Sequence, residues 1–431
     1  MQRLLKMSRP KAMQDVIVVG GSLSGLMHAL VLLVHSPSTR VTVLERSPTA
    51  MLHNQGAGVV AGSETQEFFS RYVCPGHEIA VRSKQRLYLD RRGEIIDGSV
   101  DDRAQRMTSW DVLYRLLRWK VDNMDASEYL EEDEENLPNN GSSQQAKTSE
   151  SVGRARYLYG CTVNSLEDLG PSSGGVCVHW TDKAGDSQSA KADLVIASDG
   201  ASSLVRRSLI PKVERKYAGY VAFRGTIPET SMSPSTADTL SEKFAFYHTQ
   251  GTQILAYLIP GQNGSLAQGK RLMNWVWYCN YEEGSKELED LMTDSNGKRH
   301  AVTLPVDSMK ENVWSKQKQH ATDVLPPQFA ELVNKTTHPF VQAITDNISP
   351  ENELMSGRVL LAGDSLAGFR PHTAASTSQA AFDALTLADL LDGKIERKEY
   401  NERILQYAKE VQEHGVRLGE RSQFGRHPFA G

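Results

Sequence analysis

Val16 to Val19 form a short, wholly apolar run that ends at Gly20 and Gly21. Such a run needs cover on both faces, which a parallel sheet flanked by helices provides. Helical spacing begins directly behind it. Leu23, Leu26, Met27, Leu30, Leu33 and Val34 recur on one face of a 3.6-residue repeat, and Pro37 ends the pattern. The segment VTVLE, Val41 to Glu45, then reads as a second buried strand and completes a strand–helix–strand unit. This part of the chain is therefore α/β.

The turn inside that unit reads Gly20-Gly21-Ser22-Leu23-Ser24-Gly25, so Ser22 stands where a GxGxxG fingerprint has its second glycine. Gly20 can make the tight turn and Gly25 lets helix and strand approach closely. The N–H groups of residues 22 to 24 point at whatever sits on the positive helix N-terminus, where a pyrophosphate is the natural occupant. An ordinary strand–helix turn is the competing reading. Glu45 weighs against it, because it ends the second strand twenty positions after Gly25. A carboxylate there accepts from both ribose hydroxyls of an adenosine and disfavours a 2′-phosphate, which points to FAD or NAD rather than NADP as the tightly held nucleotide.

The rest of the chain sets limits. Its 431 residues suggest two or three domain-sized units. With 48 basic and 53 acidic side chains the net charge is −5, which gives no electrostatic reason to bind nucleic acid. The longest apolar stretch, Leu26 to Val34, is interrupted by His28 and falls far short of the ~20 residues of a spanning helix. Cys74, Cys161, Cys177 and Cys279 are scattered without a CxxC pair, so neither a metal site nor a disulfide framework is expected. The basic N-terminal stretch lacks the apolar region of a secretory signal, and a cytoplasmic location is the expectation. Residues 122–151, with five consecutive acids at Glu131 to Glu135, read as a solvated insertion.

Strand-like runs return at YVAFRG, FAFYH, ILAYLIPG and NWVWY without helices between them, which suggests a mostly antiparallel sheet. Val359 to Ala362 is another buried strand. It is followed by Gly363-Asp364-Ser365 and by a helix with Ala380, Ala381, Ala384, Leu387, Ala388 and Leu391 on one face.

Two long segments add specificity. DLVIASDGASSLVRR, Asp193 to Arg207, ends a strand in Asp199-Gly200, and RVLLAGDSLAGFRPHTAASTSQAAFDAL, Arg358 to Leu385, ends one in Gly363-Asp364. Together with the first turn, over residues 15–120 and 155–395, they make the chain resemble the single-component FAD-dependent aromatic hydroxylases, the para-hydroxybenzoate hydroxylase-like family. The serine-for-glycine fingerprint, YAGYVAFRG, NWVWY and RPHTAAST look nearest its 2,6-dihydroxypyridine 3-hydroxylase-like branch. The resemblance implies a Rossmann-like FAD-binding domain from residues 15–75, 108–212 and 355–395. A mostly antiparallel substrate domain of residues 76–107 and 213–354 would interrupt it, with a helix and tail at 396–431.

The resemblance also implies roles. Backbone at Ser22, Leu23 and Ser24, within the Gly20, Gly21 and Gly25 frame, would hold pyrophosphate. Glu45 and Arg46 would hold the adenosine, with Val163 beside the adenine. Ala57 and Gly58, in the run Gly56 to Gly58, would pass near the flavin. Asp199 and Gly200 would serve FAD and a nicotinamide donor, NADH or NADPH, with Arg206 on the donor's phosphate. Asp364 would accept a ribityl hydroxyl and Pro371 would edge the ring. Ala374, Ala375, Ser376 and Thr377 would aim main-chain donors at the flavin's anionic end, Ala374 and Ser376 standing where the family has glycines.

The implied activity is insertion of one atom of dioxygen, through a flavin hydroperoxide, into an electron-rich small aromatic or N-heteroaromatic substrate. Trp275, Trp277, Tyr278, Phe223, Phe246, Tyr247 and His248 could build the pocket, and strand alternation separates Tyr247 from Phe246 and His248. His248, Tyr247 and His372 are the candidates for the base or relay that takes a phenol-type proton. Arg370 could attract an anionic substrate or ion-pair elsewhere. A larger tailoring substrate, hydroxylated or epoxidised, and a non-catalytic adaptor on the same scaffold are the alternatives. A homodimer is compatible with the sequence.

Overall fold

A computed structural model of the chain describes residues 14–52, 58–129, 155–170 and 174–429. Ala57, Gly56 and most of the acidic insertion lie outside the described residues. One sheet has the strand order 353–354, 359–361, 194–197, 15–19, 40–45, 156–159. All its pairings are parallel except the first. Val16 to Val19 are at most 4% exposed at its centre, as an uninterrupted apolar run requires. The Leu23–His35 and Ser376–Leu391 helices pack against one another beside this sheet. Val34, expected on the buried face, is 40% exposed on the last turn, while His28 is wholly buried with Nδ1 bonded to Ser24 O at 2.7 Å.

Parallel pairing has a positional consequence. Val19 is in register with Leu44 and Ala197, and Ala197 with Leu361, so strands from distant parts of the chain end along one edge of the sheet. Gly20, Glu45, Asp199 and Gly363 lie at those ends or within two residues of them. Loops at the carboxyl ends of parallel strands are where ligands of such sheets bind.

The second large sheet runs 303–304, 340–348, 216–228, 272–280, 252–259, 243–249, 85–88, and is antiparallel except where Gln85–Tyr88 lies along Lys243–Thr249. Its two faces separate by alternation. Phe223, Tyr247, Trp275 and Trp277 pack into a core with the helices at 311–324 and 327–335, where Trp275 Nε1 donates to Thr336 Oγ1 at 2.9 Å. Tyr220, Phe244, Phe246, Tyr257 and Tyr278 form the opposite face. The Arg397–Gln423 helix and the segment after it lie against the far end of that face, where Asn280 Nδ2 donates to Gln423 O at 2.9 Å. A three-stranded antiparallel sheet, 162–168, 176–181 and 187–192, packs Val163, Val176, Val178 and Trp180 into the core of the parallel sheet. On it Glu167, Cys177 and His179 bring three donor atoms within 4.8 Å of one another, a grouping that the spacing of the cysteines does not announce. No described helix is long and apolar enough to cross a membrane.

Candidate active site

The first glycine turn is built by close packing. Gly20 has φ +101°, and a Cβ there would lie 2.3 Å from Ser198 O. A Cβ on Gly25 would lie 1.9 Å from Gly20 O, so the helix can sit this near its strand only with glycine at that position. Ser22 is the N-cap of the Leu23–His35 helix but makes no side-chain bond to it, and Ser24 Oγ is buried without a partner. By contrast Ser109, Ser203, Ser233 and Ser285 cap four other helices through their hydroxyls. The Leu23 side chain belongs to the core.

Beside this turn is a cleft of about 510 Å³ lined by Gly20, Ser22, Glu45 and Arg46, with Val163, Asp199 and Gly200 facing them. Glu45 is 7% exposed; its Oε2 accepts from Gly21 N at 2.8 Å and its Oε1 from Ser47 N at 2.7 Å. Each oxygen keeps a second lone pair for a hydroxyl. Asp199 Oδ2 accepts from Leu204 N at 2.7 Å and Val205 N at 3.2 Å, holding the start of the 204–209 helix, and its Oδ1 is buried without a partner.

Arg206 does not reach the cleft. It is 1% exposed, and it donates to Ser365 O at 2.5 Å and Ala201 O at 2.6 Å, tying the Asp199–Gly200 turn to the Gly363–Ser365 turn. A guanidinium enclosed by carbonyls cannot serve a phosphate of a diffusing donor, which corrects the expectation for it. Arg207, one position on, lines the cleft instead.

The second acid–glycine turn lies against the first helix, since a Cβ on Gly363 would be 2.7 Å from Ser24 Oγ. Asp383 Oδ2 accepts from Gly363 N at 2.8 Å, and Gln379 Nε2 donates to Gly363 O at 3.2 Å. Burial raises the Asp383 carboxyl to about 7. Burial also raises Asp364, against the pull of Arg215 and Arg206.

A cavity of about 270 Å³ lies over the aromatic face of the large sheet. Phe246, His248 and Tyr278 line its floor, joined by Tyr88, Tyr257 and Leu255. Pro371, His372, Ala374, Ser376 and Thr377 form the wall opposite, and Gly58 a side. Gly58 N donates to Asn274 Oδ1 at 3.0 Å, and a Cβ would lie 2.6 Å from the Tyr257 ring. Ala374 has φ +52°, a left-handed conformation that glycine adopts without penalty. Ala375 is the N-cap of the Ser376–Leu391 helix, and no side chain caps that first turn.

Of the three candidates for proton transfer, Tyr247 is excluded: it is 3% exposed in the core on the other face, because alternation reverses each successive side chain. Phe223, Trp275 and Trp277 share that core. His372 Nε2 is 2.9 Å from Tyr220 Oη and its ring is 4.4 Å from that of Tyr278. Burial, then Arg370 and Arg224, push His372 down to about 3. His248 is held well below its usual value by burial and then by His427, and its Nδ1 is buried without a partner. Arg370 is occupied by Asp346 at 2.6 Å and Glu420 at 2.7 Å, the ion-pairing alternative for that side chain.

Comparison with known proteins places this geometry. A family model described as FAD binding domain-like matches residues 217–346. The chain is 30% identical over 376 residues to 2,6-dihydroxypyridine 3-monooxygenase of Paenarthrobacter nicotinovorans, covering 87% of this chain and 82% of that one. Among solved structures, 2,6-dihydroxypyridine-3-hydroxylase from Arthrobacter nicotinovorans superimposes with a TM-score of 0.77 at 27% identity, over 98% of this chain and 97% of that one. HpxO of Klebsiella pneumoniae, complexed with FAD and uric acid, shares the fold at a TM-score of 0.64 and 18% identity, over 95% and 89% of the two chains. The chain belongs to the FAD-dependent aromatic monooxygenases.

The residues of this monooxygenase fit an FAD on their own evidence. The uncapped start of the Leu23–His35 helix with the unpartnered Ser24 Oγ, and the unpartnered Asp199 Oδ1 in the strand-end cleft, leave hydrogen-bonding groups free for a nucleotide, and a second uncapped helix start at Ser376 borders the aromatic cavity. Membership in a family of enzymes also removes the adaptor reading. Several residues of the site carry no local signature. Tyr157 donates to Gly21 O at 3.1 Å and holds the Arg118 guanidinium 3.6 Å over its ring. The cavity is completed by Arg86 and Tyr88, and by Leu418, Arg421, Ser422 and His427 from the end of the chain. His427 stacks on His248 at 3.8 Å with 7° between the rings. No repeat or motif in the sequence marks these positions.

Proposed function

We propose that this monooxygenase uses FAD and NADH or NADPH to insert one oxygen atom of dioxygen into an electron-rich small aromatic or N-heteroaromatic ring. The observation that carries the reading is the cavity of about 270 Å³ between the aromatic sheet face and the Pro371–Thr377 turn. Its size is at the lower end for ligand pockets and favours a single small ring over a larger tailoring substrate. Bound FAD would supply the oxidising power by activating dioxygen.

The chain's own part is to bind, orient and exclude water. Main-chain donors of the 20–25 turn would hold the pyrophosphate, and Glu45 the ribose. The uncapped start of the Ser376–Leu391 helix would direct its partial positive charge at the anionic end of the reduced flavin. Phe246, Leu255, Tyr257 and Tyr278 keep bulk water from the ring. His372, neutral at physiological pH, shares a hydrogen bond with Tyr220 Oη through Nε2. That arrangement suits hydrogen bonding to a substrate oxygen rather than strong-base chemistry.

The test is visible absorbance of the purified protein, followed by turnover of a phenol and hydroxypyridine panel. NAD(P)H consumption should match oxygenated product. A colourless protein that takes up no FAD, or consumption that yields only hydrogen peroxide across the panel, would overturn the proposal.

A further inference from the structure

The three-stranded sheet 162–168, 176–181 and 187–192 sorts its residues by face. Val176, Val178 and Trp180 are buried in the core, so Cys177 and His179, which alternate with them, turn to the opposite side. Register brings a third donor to that side. Glu167 stands directly across from Cys177, and Ser165 across from His179, which places Glu167, Cys177 and His179 together on the outer face. Their carboxylate oxygen, sulfur and ring nitrogen lie within 4.8 Å of one another. Cysteine spacing does not announce the group because its donors come from two strands.

The separations within it differ from those of an ordinary ion pair. Three other histidines close on a carboxylate to hydrogen-bond distance: His35 on Asp392 at 2.5 Å, His300 on Asp294 at 2.8 Å and His338 on Asp307 at 2.5 Å. His179 Nε2 and Glu167 Oε2 stand 3.5 Å apart. That is long for a hydrogen bond, but two ligands of one tetrahedral ion keep such a distance, since bonds of about 2.0–2.2 Å put nitrogen and oxygen ligands roughly 3.4 Å apart. Cys177 Sγ needs at most about 1 Å of closure to join them, which rotation of partly exposed side chains supplies. Among the described residues, none of the three side chains is held by a hydrogen bond that such a movement would break.

The donor set selects the ion. Thiolate, imidazole and carboxylate are ligands of zinc, whereas calcium and magnesium take oxygen alone. Two anionic ligands balance a doubly charged cation, so the assembled group is neutral and Lys191, across from Cys177 on the third strand, does not repel it.

We propose that Glu167, Cys177 and His179 form a binding site for a divalent transition-metal ion of the zinc type, with water in the fourth position. The ion ties the 162–168 strand, whose Val163 lines the strand-end cleft, to the 176–181 strand. The site is independent of the reaction proposed above.

The test uses the full-length, flavin-loaded protein, freed of metal by a chelator and titrated with Co²⁺ and then Zn²⁺. Co²⁺ should bind as a single equivalent, with a thiolate-to-cobalt charge-transfer band and tetrahedral cobalt bands at wavelengths beyond the flavin's, and Zn²⁺ should bleach both. Cys177→Ser should remove the charge-transfer band. In calorimetry, Cys177→Ser and His179→Ala should each weaken Zn²⁺ binding by about a hundredfold or more, and Glu167→Gln by at least about tenfold, because groups that merely orient a ligand are already worth about 10–100-fold. Cys74→Ser, at the exposed cysteine outside the group, should change nothing. Zn²⁺ should also raise the unfolding midpoint of the parent protein but not of Cys177→Ser, because it binds the folded state. Flavin absorbance equal to the parent's identifies variants that have folded. The absence of a saturable equivalent, a cobalt spectrum without sulfur charge transfer, or binding that survives both Cys177→Ser and His179→Ala would overturn the proposal.

Discussion

The strand-end cleft and the cavity on the sheet face are built on opposite principles. In the cleft the work falls to the main chain: Gly20, Gly25 and the open helix start are specified by how close backbone must come to backbone. Its two acidic side chains, Glu45 and Asp199, both spend part of their capacity on backbone N–H groups. In the cavity nearly everything is side chain, drawn from Gln85–Tyr88, from the strands between 216 and 280, and from the end of the chain. A main-chain site must tolerate few substitutions and recur as a motif. A side-chain site can be assembled from scattered positions and changed one residue at a time, which is how one scaffold serves different rings.

This contrast can be broken or sharpened by substitution. The harshest test is Gly25→Ala, whose Cβ would overlap Gly20 O; it should destabilise the protein by about 3 kcal/mol in denaturant unfolding and release flavin. Full stability would mean that close backbone packing does not define the cleft. Next is Glu45→Ala, which removes two backbone-bound carboxylate bonds and the ribose acceptor. FAD affinity, measured by fluorescence titration, should fall by roughly 2 kcal/mol, with substrate affinity of the reloaded protein unchanged.

The third test belongs to the cavity. The unfolded imidazole of residue 372 titrates near the ordinary histidine value of 6.5 and the folded one near 3, so between these pH values the unfolded state binds the extra proton. Stability contributed by His372 therefore falls as pH drops from 6.5 towards 3, with a slope of at most about 1.4 kcal/mol per pH unit. His372→Gln should flatten the stability–pH profile over that window, and an unaltered profile would show that this ring is not desolvated. The smallest effect is expected at the junction of the two regions. Ala374→Gly relieves a left-handed alanine and should raise stability by about 1 kcal/mol, seen as a higher midpoint in urea.

The same division explains what could be read in advance. The strand–helix–strand start, the antiparallel runs and the acid–glycine strand ends follow from local periodicity and from glycine's conformational range. Arg206 and Tyr247 failed for one reason. Adjacent residues on a helix turn or strand point to different sides, and which side faces the ligand is a property of the whole sheet. Arg207 lines the cleft where Arg206 does not, and His248 lines the cavity where Tyr247 does not. Tyr157, Arg118 and His427 were invisible because their partners are distant in sequence: Tyr157 reaches Gly21 across 136 positions.

By itself, then, the sequence determined a glycine turn between a buried strand and a helix, with an acid ending the next parallel strand, because hydrogen bonding and sterics within a few residues dictate that pattern. Only the tertiary structure decided which arginines and which aromatic residues line the cavity, and that the 397–423 helix adds Leu418, Arg421 and Ser422 to it. Those outcomes depend on strand register and on contacts between distant segments, and no local spacing encodes them.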